Sequence, residues 1–149
     1  MGSMLLDERN FEVPASQERV WRLIGKVIFS SLPGLERMEI LDENNFRGVL
    51  RIRVLGLQIT LKLKGRMLDV EPPDSFSVKL LLEGPGGMFK ADQKVAFTMT
   101  PIEAEKTRVV CKAVIDEIGF LPGLLLKGQA RSFARSTFEA IDKRLQELA

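Results

Sequence analysis

Between Phe46 and Met67, apolar and polar residues alternate on either side of a break at Leu55-Gly56. Gly48, Leu50, Ile52 and Val54 fall on one face, with Arg47, Arg51 and Arg53 on the other. Beyond the break, Leu57, Ile59, Leu61 and Leu63 alternate with Gln58, Thr60, Lys62 and Lys64. A period of two with one polar face predicts antiparallel strands that are wet on one side. With Leu55-Gly56 as a two-residue turn, Val54 pairs with Leu57, Ile52 with Ile59 and Leu50 with Leu61. Both strands then send aliphatic side chains to the same face.

The same period recurs along most of the chain. Leu5 to Val13 reads as a first strand ended by Pro14-Ala15-Ser16. Glu36 to Leu41 is a second, turning at Asp42-Glu43-Asn44-Asn45 into Phe46–Val54 and then Leu57–Val70. Ser75–Glu83 carries Phe76, Val78, Leu80 and Leu82 on one face. After Gly84-Pro85-Gly86-Gly87, Met88–Thr100 carries Phe89, Ala91, Gln93, Val95, Phe97 and Met99. Pro101 to Glu105 reads as a loop, and Thr107–Ile118 is the last strand, with Val109, Cys111, Ala113 and Ile115 facing inward.

Two stretches switch to helical spacing. Ser16 is an N-cap for a helix opening Gln17-Glu18-Arg19, with Val20, Trp21, Leu23, Ile24, Val27 and Ile28 as its apolar face. Gly25 is expected to divide that helix, and Leu32-Pro33-Gly34 to stop it. From about Pro122, Leu126, Ala130, Phe133, Ala134, Thr137, Ile141, Leu145 and Leu148 recur at three- and four-residue steps, predicting a helix of about seven turns. The order is strand, helix, six strands, helix. Short turns between sequential strands imply an antiparallel meander that curls, with the terminal helix lying in the curl. The fold class is α+β, one domain over residues 4–149, and Met1-Gly2-Ser3 before Met4 reads as a cloning remnant.

Composition narrows the chemistry. With 149 residues, 45% apolar and 28% charged, the chain can bury a full core. Its 22 basic and 20 acidic residues nearly cancel to +2, and the pI of about 8.8 is only mildly basic, which argues against nucleic-acid binding. There is no histidine and no tyrosine, and Cys111 is the single cysteine. Ser-His-Asp and Cys-His catalysis are therefore excluded, as are intrachain disulfides and thiolate metal clusters. No catalytic residue, cofactor or metal is expected. No signal peptide or membrane-spanning run is apparent, so a cytoplasmic location is the default. Few Asn, Gln and Cys beside many Lys, Arg and Glu lean toward a heat-adapted source.

The order of elements resembles the START-like (SRPBCC) superfamily, the helix-grip fold shared with Bet v 1-like pollen allergens. Within it the chain is similar to the carbon monoxide dehydrogenase G-subunit family, from Phe11 to Leu145. The resemblance rests on Pro14-Ala15-Ser16 followed by Val20-Trp21, on Pro33-Gly34, and on Gly56 and Gly65 around the fourth strand. Pro72-Pro73, Gly86-Gly87, Thr107 and Phe138 add to it. It implies a cavity for a lipophilic small molecule, isoprenoid quinones foremost. It also implies an accessory role beside a carbon monoxide dehydrogenase-type redox enzyme, and contact with the inner membrane face.

The cavity is expected between the sheet and the terminal helix, opening near Leu124 or the Pro33 bend. Its candidate lining is Leu50, Ile52, Ile59, Leu61, Leu63, Val78, Leu80, Val95, Phe97 and Ile115 from the strands, and Leu125, Ala130 and Phe133 from the helix. Each of these side chains alone reads equally well as plain core; the ligand reading belongs to the set. About 20 apolar atoms held there at about 0.3 kcal/mol each give roughly 6 kcal/mol, or tens of micromolar affinity, with no catalytic group. Gln93 and Glu117 are the polar residues that alternation sends inward. Gln93 either bonds to backbone or water, or orients a ligand's carbonyl or hydroxyl. Glu117 lies either in the pocket or at a solvated strand end. Phe120 to Leu126 either packs on the Trp21 helix or forms a lid or membrane-touching edge with Lys127 and Arg131. Trp21 is either a ligand wall or a packing anchor. The Arg47, Arg51, Arg53, Lys62 and Lys64 stripe is either a solvated face or a docking surface for an acidic protein, and Cys111 is an inert buried residue. Two further functions use the same scaffold: an aromatase/cyclase-type enzyme with Glu117, Asp116 or a lysine as its acid–base group, or an assembly adapter without a ligand.

Overall fold

The computed structural model describes residues 4–54, 56–87, 90–118 and 123–149; the side chains of residues 54, 117, 118 and 123–127 lie outside the description. Seven strands form one antiparallel sheet: β1 (Met4–Val13), β2 (Leu35–Ile40), β3 (Asn45–Val54), β4 (Leu57–Glu71), β5 (Ser75–Glu83), β6 (Lys90–Glu103) and β7 (Lys106–Ile118). Helix α1 (Gln17–Ser30) joins β1 to β2, and helix α2 (Gly123–Leu148) ends the chain. The spatial order is β1-β7-β6-β5-β4-β3-β2. Strands two to seven are thus the expected meander, while β1 and β2 occupy opposite edges and α1 carries the chain across between them.

The register of the central hairpin follows the alternation: Val54 faces Leu57, Ile52 faces Ile59 and Leu50 faces Leu61. A slip of one residue would expose every one of these inner side chains, which is why the pattern is decisive here. Leu57 departs from it. At 69% exposed it stands at the hairpin tip. Further down the same pair, Phe46 stands opposite Gly65, and its ring covers the space that a Cβ on Gly65 would need.

Helix α1 begins where expected. The Ser16 hydroxyl accepts from the Arg19 N–H at 3.3 Å, and Val20, Ile24, Val27 and Ile28 are buried. Gly25 does not divide it. It sits on the solvent side, where glycine costs about 1 kcal/mol against alanine, while each buried aliphatic contributes about 1.5–3 kcal/mol. The start of the helix is tied to the sheet by Gln17, whose side-chain amide donates to the Met99 carbonyl at 2.8 Å and to Asp74 at 2.9 Å. The expected loop from Pro101 to Glu105 is shorter. β6 runs on to Glu103, with a register shift between Pro101 and Glu103, and only Ala104-Glu105 turns the chain.

The interior has two unlike halves. One is filled by an aromatic series that crosses it: Trp21 of α1 edge-on to Phe76 at 5.6 Å, Phe76 stacked on Phe97 at 4.9 Å, and Phe97 edge-on to Phe138 of α2 at 6.4 Å. Trp21 is therefore a packing anchor. Around this series Val109, Cys111, Ala113, Ile141 and Leu145 are wholly buried. Helix α2 packs chiefly against β1, α1 and β7. Its last turns are held by Arg9 on Asp142 at 3.0 Å, Gln146 on the Glu12 carbonyl at 2.6 Å, and Arg19 on the Leu148 carbonyl at 2.9 Å. Because the helix leans toward the β1–β7 side, the inner face of β3 to β6 is only partly covered. The second half of the interior lies there.

Candidate functional site

Beneath the first half of α2 the structure holds a half-open cavity of about 240 Å³. Its floor is the inner face of the sheet: Leu61 of β4, Leu82 of β5, Gln93 of β6 and Ile115 of β7, all buried. Ala91 and Ile52 continue the floor toward the edge, and Ala130 and Phe133 of α2 form the roof. The exposed lining residues, Gly34, Arg51, Arg53, Ser132 and Ser136, mark the rim. Pro33-Gly34 shapes that rim by a close approach. Gly34 has φ +77, a Cβ there would collide with the Arg51 carbonyl, and its own carbonyl accepts from the Arg51 N–H at 2.8 Å. The Arg51 guanidinium is taken up by Glu36 at 2.9 Å.

Among the described residues, Gln93 is the single polar side chain on the floor. It is 2% exposed, and among the described residues its carboxamide has no hydrogen-bond partner. The ladder breaks beside it. Gln93 stands opposite Ile115 while Asp92 stands opposite Glu117, so β7 carries one extra residue, Asp116. Such a bulge bends the strand and re-aims the side chains next to it.

Of the residues that the sequence suggested for ligand contact, Ile52, Leu61, Gln93, Ile115, Ala130 and Phe133 line the cavity. Leu50, Leu63, Val78, Leu80, Val95 and Phe97 do not: they are packed in the core, under the aromatic series or beneath its neighbours. Ile59 is partly buried against the same core near the hairpin end. The side chains of Glu117 and Leu125, and the expected lid from Phe120 to Leu126, fall outside the described residues. Sequence reasoning missed Leu82 and Ala91 as wall residues, although alternation put both on the inner face. It also missed Gln129, Ser132 and Ser136, polar residues that the apolar spacing of α2 did not include. Polar residues on the flank of an amphipathic helix meet a cavity only where the helix stands off the sheet.

A wider groove of about 770 Å³ lies on the outer face of the sheet, among Arg37, Glu39, Arg47, Lys62, Lys64, Leu81 and Glu83. Its charges are exposed, and Arg47 is paired with Glu39 at 2.8 Å. Water competes for every group in it, and exposed pairs of this kind contribute about 0–1 kcal/mol. The smaller inner cavity differs in having a buried floor. Cys111 lies on the inner face but in the filled half; burial, with Asp142 nearby, pushes its thiol up to about 12. Among the described residues no group of three or more His, Cys, Asp and Glu could hold a metal ion, and no helix is long and apolar enough to cross a membrane.

Residues 10–146 match the family model of the carbon monoxide dehydrogenase G subunit (CoxG). The chain belongs to the CoxG family. No curated protein matches it by sequence. Its fold is shared with a conserved protein from Geobacillus kaustophilus, at 19% identity over 94% of each chain and a TM-score of 0.74. A START superfamily protein from Mycobacterium smegmatis shares it at 16% identity over 96% of this chain and 98% of that one, with a TM-score of 0.67. The Zhui aromatase/cyclase from a Streptomyces species is similar at 18% identity over 97% and 87% of the two chains, with a TM-score of 0.54. The START-like, helix-grip fold expected from the order of elements is thus the observed one, and the cavity of this CoxG family member lies between the sheet and the terminal helix.

Proposed function

We propose that this chain is a non-catalytic binding protein for a hydrophobic small molecule, quinone- or lipid-like, which it holds between the sheet and α2 as an accessory to a carbon monoxide dehydrogenase-type redox enzyme. The observation that carries the reading is the cavity itself, with a desolvated and largely aliphatic floor beside a core that is otherwise filled. At about 240 Å³ it falls just below the range of about 300–1,000 Å³ that encloses drug-sized ligands. It suits a ring-sized group, with the remainder of a longer ligand lying across the rim. Membership of the CoxG family supports the partner class. Contact of the rim with a membrane face would let a lipophile enter without crossing water, and is part of the same proposal.

The likeness to an aromatase/cyclase supports a second reading, an enzyme that uses the same space. Against it, the ionisable groups among the described lining residues are Arg51 and Arg53, which stay protonated in proteins and cannot exchange a proton at neutral pH. Native mass spectrometry of the protein purified from its source, with solvent extraction of what it carries, separates the readings. A co-purifying lipophile of defined mass is expected. Protein that is empty from its source and takes up no added lipophile would overturn the carrier, and turnover of a polyketide-like substrate would establish the enzyme.

A further inference from the structure

We infer that Gln93 determines which ligands the cavity accepts: its carboxamide hydrogen-bonds a neutral oxygen, a carbonyl or hydroxyl, at the buried end of an otherwise apolar ring, so the ligand enters polar end first. The inference rests on the proposed binding of a hydrophobic molecule in this cavity and specifies its chemistry. Three observations meet at this residue. Gln93 is 2% exposed on a floor made otherwise of Leu61, Leu82 and Ile115. Its amide lines the cavity and makes no hydrogen bond among the described residues, so a group held in the cavity can bond to it. The bulge between Asp92 and Gln93 sets this position apart from the regular ladder on both sides.

The group that completes the site follows from the chemistry of the amide. A carboxamide offers both a donor and an acceptor, so it satisfies a carbonyl or a hydroxyl equally. A carboxylate or phosphate at that depth would have to shed its water with no cation beside it among the described residues, since Arg51 and Arg53 stand at the exposed rim. A plain hydrocarbon would leave the amide unmet. An uncharged oxygen on a flat apolar body answers both constraints.

The test uses naphthalene and 1-naphthol, which differ by one hydroxyl, titrated into the full isotope-labelled chain and followed by the backbone NMR shifts of Ala130 and Ile115. In the wild type, 1-naphthol is expected to bind about 3- to 10-fold more tightly than naphthalene, the range of one net hydrogen bond. In Gln93→Leu, and in the closer-shaped Gln93→Met should the first not fold, that preference disappears, with naphthalene bound at least as tightly as 1-naphthol. Equal affinities in the wild type, or a preference that survives substitution, would overturn the assignment while leaving binding in the cavity intact. Failure of both probes to bind would overturn the carrier reading and this inference with it.

Discussion

Phe46 and Gly65 show how a single residue pair can hold a sheet in shape. Phe46 is 4% exposed, meets Phe29 of α1 edge-on at 5.0 Å, and lays its ring over the glycine opposite. Gly65→Ala puts a methyl group into that ring and is expected to cost about 1–3 kcal/mol by urea unfolding, as overpacking does. The same change in a Phe46→Ala background should cost clearly less, because the two residues share one space. Cys111 is a residue-scale case with a pH signature. Its thiol ionises near 9.0 in the unfolded chain and is raised to about 12 in the fold by burial. The folded state therefore holds its proton longer. The stability contributed by that difference is complete below pH 9 and is lost as pH rises toward 12. The advantage of wild type over Cys111→Ala should be constant up to about pH 9 and shrink above it. In native protein at about pH 8 the thiol should resist disulfide-exchange reagents and react only on unfolding.

At the scale of elements, α2 is one helix with two environments. From Ala134 onward it buries Ala134, Phe138, Ile141 and Leu145 and is tethered to β1 and α1 by Asp142, Gln146 and the Leu148 carbonyl. Around Gln129 to Phe133 it roofs the cavity, and its side chains there are only partly covered. Local opening follows the density of buried contacts. Amide exchange is therefore expected to be slowest at Phe138 to Leu145 and markedly faster at Gln129 to Phe133, with the second group slowing when a ligand fills the cavity. Exchange that is uniform along α2, or unchanged by ligand, would contradict this division. The tether through Arg9 and Asp142 is 37% and 18% exposed at its two side chains; screening keeps such a pair below about 1 kcal/mol. The end of the helix is held by its buried face more than by its charges.

For the whole molecule, the empty half of the interior is a cost in stability that a carrier must bear. Filling it should therefore separate stability from function. Ala130→Phe places a ring from the roof into the cavity. It is expected to leave Tm unchanged or raise it by a few degrees, while abolishing retention of a co-purified or added lipophile as read by native mass spectrometry. Loss of both stability and binding would mean that the ring does not fit the space, whereas retained binding would place the ligand elsewhere. A lipophile that binds only the folded state should raise Tm of the wild type with concentration, and that rise should be absent in Ala130→Phe.

Much of this protein follows from its sequence alone. Period-two alternation located the strands and the β3–β4 register, because a strand with one buried face cannot slip by a residue without inverting it. Ser16 marked the start of α1, and the helical spacing after Pro122 marked α2, because capping and amphipathic packing are local. The tertiary structure alone decided which inward side chains are core and which are wall. Val95 and Leu61 carry the same signature in the chain; one is packed in the core and the other looks onto empty space. The difference lies in where α2 rests across the sheet, set by contacts with β1, α1 and β7 that are distant in sequence. The same holds for Gln93, whose inward direction was legible but whose place on the cavity floor depends on every element packed around it.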